Sequence, residues 1–344
     1  MNNIAENNFN YKEQCNVLQH TINIFIGIDP SLNSTGITIM SNCGCNSDIG
    51  GYIFNRMFVI KPKLTRKETK ILDEYKSTHD IIYKLNEPTR DFYFNALTYD
   101  HDDANYYNKE PNKDSHKFEL LKTTNLINIT CKIEQVIKAN IFDIVNLNLK
   151  LNSISKKEYD KHSYNIICHT CIETNSFNSR QHSVSLVELC GLNFLIRNMI
   201  LSLSWNITKL NINIIDTDLL CATPTEIKKF STWRGDADKE LMITCFKLLQ
   251  PDIIKELDGF KLDDVADSYF MCLYAMSIYE KENLEDNSTF YRNGTIITDD
   301  VKTQLTSVIE DKKTKKKQER ANKKSLKNKE QIWDDDMMNF ADEI

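Results

Sequence analysis

The sequence predicts an α/β layered fold, a mixed five-stranded sheet flanked by helices with a large insertion between the third and fourth strands. Two observations carry this expectation. Short β-branched runs cluster near the start and are separated by turn residues. From about residue 165 onward, further apolar runs alternate with segments that carry helix-start chemistry. The 100 residues from Lys61 to Asp160 contain no glycine, and the insertion is assigned there.

The elements follow in order. Residues 1–20 are polar and are assigned as a leader. Asn23–Asp29, Thr35–Met40 and Tyr52–Ile60 read as three strands of an antiparallel meander, with Pro30, Asn33 and Gly36 turning the chain after the first. The insertion spans about 62–116, with a smaller addition at about 141–162. Between them, Leu120, Leu121, Leu126, Ile127, Ile133, Val136 and Ile137 give Phe118–Asn140 a helical period. Asn165–Ile172 is a fourth strand that ends at Glu173. Ser185 and Glu188 have capping-box spacing ahead of an apolar helix through Leu203. Asn211–Ile215 is the fifth strand. Thr223-Pro224-Thr225-Glu226 combines a cap, a proline at the first helical position and a box-closing acid. Gly235-Asp236 opens a helix that carries Lys239 to about Leu249, and the last core helix runs from Leu262 to Glu280. The main folded unit is therefore expected over 21–281, followed by a linker and tail over 282–344.

Composition bounds the function. With 41% hydrophobic and 27% charged residues the chain resembles an ordinary globular protein. It contains no run of about 18 apolar residues, and Met1–Asn10 lacks a signal-peptide core. A soluble intracellular protein is expected, cytoplasmic or nuclear. The net charge of −6 is uneven. Lys312–Lys329 holds ten Lys/Arg against Glu319, while Glu330–Ile344 carries six acids and no base. The basic arm lacks apolar periodicity, is expected to be disordered or weakly helical, and suits nucleic-acid phosphates or an import receptor.

The candidate chemistry is acidic. Asp29 and Glu173 each end a strand, so neighbouring strands would set them side by side. Asp264 and Asp267 are three apart on a helix, and Asp263 and Asp267 are four apart, so both pairs share a helix face. Spacing does not choose between Asp263 and Asp264. Carboxylates gathered at one sheet edge repel unless cations neutralise them, and two Mg²⁺ ions would serve. Other sets are weaker. Cys168 and Cys171 lie an odd number apart in a strand and so face opposite ways, which disfavours a shared zinc. Glu188 competes with Glu173, but its cap spacing accounts for it. Asp100-His101-Asp102-Asp103 lies in a polar loop. Phe92, Tyr93, Phe94, Tyr99, Tyr106 and Tyr107 suit either base stacking or the core of the insertion.

Ile26-Gly27-Ile28-Asp29-Pro30-Ser31 followed by Thr35-Gly36 resembles the opening motif of the RuvC-type Holliday-junction resolvases, members of the RNase H-like nuclease superfamily. Ile172-Glu173 resembles that family's second-acid strand end, and Asp264-Val265-Ala266-Asp267-Ser268 its closing D-x-A-D motif, which favours Asp264 over Asp263. Glu226-Ile227-Lys228-Lys229 and Gly235-Asp236-Ala237-Asp238-Lys239 resemble its basic segment. The resemblance covers most of 23–280. It implies a homodimer that binds a four-way DNA junction and makes paired nicks by Mg²⁺-dependent hydrolysis, leaving 5′-phosphate and 3′-hydroxyl ends, with Mn²⁺ as a substitute. It also implies that Asp29, Glu173, Asp264 and Asp267 hold the metals, that Lys239 meets the scissile region, and that Lys228 helps. The long Asp29–Glu173 separation and Ser31, where the bacterial pattern often has glycine, depart from the family. Alternatives are a catalytically silent DNA-binding scaffold of the same fold and a nuclease for RNA–DNA hybrids or flaps. An actin- or sugar-kinase-like ATPase would need glycine-rich loops that Gly51 to Gly191 does not contain.

Overall fold

A computed structural model describes residues 18–41, 54–84, 91–99, 115–151, 154, 156–174, 183–204, 206–207, 211–251, 257, 260, 262–283 and 298–341. It is a mixed α/β structure. The strands are β1 (Leu18–Asp29), β2 (Thr35–Ser41), β3 (Phe54–Lys61), β4 (Asp91–Thr98), β5 (His162–Glu173), β6 (Asn206–Ile207) and β7 (Ile212–Ala222). The helices are α1 (Arg66–Lys84), α2 (Ser115–Leu151), α3 (Ser183–Leu201), α4 (Pro224–Thr232), α5 (Lys239–Leu249), α6 (Asp263–Asn283) and α7 (Asp299–Ala341). The sheet order is β4-β3-β2-β1-β5-β7-β6. β1, β2 and β3 form the antiparallel meander, and β5 and β7 continue from β1 in parallel.

Six long strands and the two-residue β6 replace the expected five. β4 lies in the segment assigned to the large insertion, yet it pairs parallel to β3 in the main sheet. The smaller insertion is absorbed as well: α2 continues through Leu151, a 3-10 turn spans Lys156–Lys161, and β5 begins at His162. α2 therefore outlasts the expected Phe118–Asn140. Its buried stripe is Ile129, Ile133, Val136, Ile137, Ile141, Ile144, Val145 and Leu149, while Leu120 and Ile127 are exposed. β1 also starts at Leu18, inside the assigned leader.

Period-two alternation divides β1 between two cores. Ile22, Ile24, Ile26 and Ile28 pack with α2 and α3. Phe25 packs on the opposite face, in the core shared by α1, α4, α5, α6 and Leu305 of α7. Among the described residues no helix is long and apolar enough to cross a membrane.

Candidate metal centre

Strand parity brings Asp29 and Glu173 together. Phe25, Gly27 and Asp29 share the α6 face of β1. On β5, Cys168 and Ile172 belong to the α2–α3 core and Cys171 to the α6 core, so Glu173 shares Asp29's face. Ile28 is in register with Ile172, so the two acids end neighbouring parallel strands. Asn193, buried on α3, donates from Nδ2 to the Glu173 carbonyl at 2.7 Å and fixes that strand end. The sequence hint was an amide within a largely apolar helix.

The α6 acids reach Asp29 because two strand positions lack a side chain. Gly36 pairs with Asp29, and a Cβ there would lie 2.0 Å from the Asp264 carbonyl oxygen. A Cβ on Gly27 would lie 2.0 Å from the Ser268 carbonyl oxygen and 2.4 Å from the Cys272 nitrogen. Gly36 is thus a strand residue that admits a helix backbone, not the expected turn residue. Thr38 and Ser268 hydroxyls meet at 3.0 Å, the Cys272 thiol donates to the Phe25 carbonyl at 3.3 Å, and Asn23 Nδ2 donates to the Tyr279 hydroxyl at 3.0 Å. These contacts pin α6 along β1 and β2.

The electrostatics show which acids converge. The Asp29 carboxyl is held well above the ordinary range, first by burial, then by the charges of Asp267, Glu173 and Asp264, with Lys239 opposing. Burial also raises Glu173, against a hydrogen bond with Asp29 and the charges of Lys228 and Lys239. Burial pushes Asp267 up to about 7, helped by Glu173, Asp264 and Asp263 and opposed by Lys239. Burial and mutual repulsion thus favour the protonated carboxyls in this cluster. Among the described residues, no three acid, histidine or cysteine side chains already form a group able to hold a metal ion. The donor set is nonetheless all carboxylate oxygen, buried and self-repelling, and it fits a hard divalent cation in ligand type and charge.

Two lysines face this cluster from α4 and α5. Thr223 caps α4, its hydroxyl accepting from the Glu226 N–H at 3.2 Å while Glu226 Oε2 accepts from the Thr223 N–H at 2.7 Å, with Pro224 in the first turn. This is the box that the sequence predicts, and it points half-buried Lys228 toward Glu173 while Lys229 stays exposed. Asp238 caps α5, accepting from the Leu241 N–H at 2.8 Å, so α5 starts slightly later than expected and Lys239 opens it. Lys239 Nζ donates to Asp263 Oδ2 at 3.0 Å. Burial opposes the Lys239 charge, but Asp263, Asp267 and Asp264 together raise its pKa. Asp263 is thereby tied to Lys239, and Asp264 is the acid that acts on Asp29.

Other candidates lie elsewhere. Glu188 sits inside α3, which starts at Ser183, and pairs with Lys122 of α2 at 2.8 Å; an interhelical ion pair, not a cap, accounts for it. Cys168 and Cys171 are buried in opposite cores. Phe94 packs against Tyr75 and Phe260, and Tyr99 is buried. Residues 100–103, Tyr106 and Tyr107 lie outside the described residues.

No family model matches the chain, and no curated protein matches it. Among solved structures, the chain is similar to a Thermus thermophilus RuvC structure at 11% identity and a TM-score of 0.31, covering 75% of this chain and 96% of that one. It is also similar to T. thermophilus RuvC in complex with a Holliday junction substrate, at 9% identity and 0.28, covering 75% and 95%. Similarity that loose assigns neither fold nor function.

Proposed function

We propose that this protein is a Mg²⁺-dependent endonuclease that resolves four-way DNA junctions by paired phosphodiester hydrolysis, leaving 5′-phosphate and 3′-hydroxyl ends. One observation carries the proposal: Asp29, Glu173, Asp264 and Asp267 converge at the strand ends, with Lys228 and Lys239 facing them. The four acids would hold two Mg²⁺ ions, or Mn²⁺ in their place, which supply Lewis acidity toward the phosphodiester and lower the pKa of a bound water. Asp29 feels all three other acids and is suited to bridge. Lys239, held by Asp263, presents an ammonium toward charge developing on the phosphate. Lys228 keeps Glu173 closer to its ionised form.

The proposal includes a homodimer, which would set two acid sites on one junction. α3 exposes Val187, Phe194 and Leu201 at seven-residue spacing, and neighbouring α2 exposes Leu120 and Ile127 at the same spacing. Such an apolar stripe suits a self-complementary contact. Phe194→Glu should shift sedimentation from dimer to monomer; a wild type that is monomeric at micromolar concentration would remove this part.

The deciding experiment is nicking of a synthetic four-way junction, beside linear duplex and RNA–DNA hybrid, with Mg²⁺ or EDTA and with Asp29→Asn in parallel. Symmetric Mg²⁺-dependent nicks confined to the junction and lost in the variant are expected. Tight junction binding without nicks would leave a silent scaffold, and cutting of the hybrid or a flap alone would replace the substrate.

A further inference from the structure

The basic arm was expected to be disordered or weakly helical, but it forms part of α7, which runs unbroken through Lys312–Lys329. The start of α7 is seated on the body. Leu305 is fully buried, and Val301 and Ile309 pack beside it in the core that contains α5 and α6. Lys302 Nζ lies 5.8 Å from the centre of the Trp233 ring. Trp233 closes α4 in a left-handed conformation (φ 52°), between Lys228 and Lys239 in the chain. The root of α7 therefore rests on the same turn that joins the two lysine-bearing helices.

Beyond Ile309 the described side chains turn to solvent. From Glu310 to Lys323 every described side chain is exposed, including Lys313, Lys317, Arg320 and Lys323. Lys312–Lys329 has a net charge of +9 over a helical length of about 27 Å. Like charges recur four residues apart at Lys312/Lys316, Lys313/Lys317, Lys316/Arg320, Arg320/Lys324 and Lys323/Lys327, a spacing at which they destabilise a lone helix. A helix held at one end by an apolar root, and repelling itself beyond that root, is complementary to a polyanion of similar length. The phosphates of about eight base pairs of duplex span that distance.

We infer that the 312–329 segment of α7 is a sequence-independent duplex-DNA rail, anchored through Leu305 and the Trp233 turn beside the acid cluster. It rests on the proposed function for the identity of its polyanion, as an arm of the branched substrate, and adds a second contact surface remote from the reacting phosphate.

The test uses the full chain carrying Asp29→Asn, so that binding is measured without cleavage. Affinity for a linear duplex and for a four-way junction is titrated against salt, with and without Lys313, Lys317, Arg320 and Lys323→Gln. The log–log salt slope should shallow by about three to four, at about 0.9 per lost phosphate contact, and similarly on both DNAs. Lys313, Lys317 and Lys323→Arg should keep the parental slope. An unchanged slope with the four glutamines overturns the rail, as does a loss of self-association in place of DNA affinity, which would assign the arm to the acidic end of a second copy. Failure of junction cleavage by the wild type, with the slope change intact, would remove the proposed activity and leave the rail standing. Cleavage with an unchanged slope would do the reverse.

Discussion

The two faces of β1 are built from alternate residues of one strand and hold different things. Ile22, Ile24, Ile26 and Ile28 fill one core with branched side chains. Phe25, Gly27 and Asp29 give the other face an aromatic, a gap and an acid, and α6 lies in the gap. The first face gains stability from apolar area. The second gives up side-chain volume so that a helix backbone comes close enough to bring Asp264 and Asp267 to Asp29. The proposed chemistry thus depends on missing atoms as much as on acids, and each face should fail in its own way.

Removing the acid should separate the faces most sharply. Asp29→Asn is expected to lower Mg²⁺-dependent nicking by at least about 10³-fold. The same change relieves buried repulsion, so the metal-free melting temperature should hold or rise. A large fall in melting temperature would mean that Asp29 supports the fold and would erase the contrast.

Filling the gap comes next. Gly27→Ala drives a methyl into the Ser268 and Cys272 backbone, which cannot yield as a side-chain tip would. A loss of about 3 kcal/mol is expected, together with loss of activity in the molecules that remain folded, because α6 must move. Ile24→Ala on the opposite face should cost a similar 2–5 kcal/mol, yet leave the turnover of folded protein near the parental value. Denaturant melts paired with single-turnover rates check both. Equal loss of turnover in the two variants would show that the faces are not separable.

The sequence made the strand-borne half of this site legible and the supporting half obscure, for identifiable reasons. Asp29 and Glu173 end apolar β-branched runs, and period-two alternation fixes their faces without tertiary information. The helix-borne acids were narrowed but not resolved, since Asp263 and Asp264 both suit Asp267. The motif resemblance favours Asp264, and in the structure the Lys239–Asp263 contact, 24 residues apart in sequence, and the action of Asp264 on Asp29 separate the two. β4 was missed because Phe92, Tyr93 and Phe94 look like the private core of an insertion, and its partner β3 lies some 30 residues earlier across a helix. β7 outran its expected end at Ile215 because Asp216 and Asp218 are exposed on a strand whose outer edge, among the described residues, is paired only near its start. The helicity of the basic arm was hidden because its root, Val301, Leu305 and Ile309, lies outside the charged block.

Acidity gives the smallest of the expected effects and sharpens the comparison furthest. Asp267 is held at about 7 in the folded protein against 3.8 as its ordinary value. Between those pH values the native state keeps a proton that the unfolded chain has released, so metal-free stability should fall as pH rises from about 4 to about 7 and level off above. Because the repulsion is shared with Asp29, Glu173 and Asp264, deleting one acid should recover only part of it, about 1–2 kcal/mol. Asp267→Asn should therefore melt higher than the parent at pH 8 and converge with it near pH 4. Mg²⁺ should raise the parent's melting temperature at pH 8, do so less at pH 5, where protons compete for the same oxygens, and have little effect on the variant. Ile24→Ala, on the other face, should show the parent's full pH slope and the parent's Mg²⁺ shift from a lower starting temperature. If it instead loses the Mg²⁺ shift, the isoleucine face holds the acids in place as directly as α6 does, and the division of labour along β1 fails.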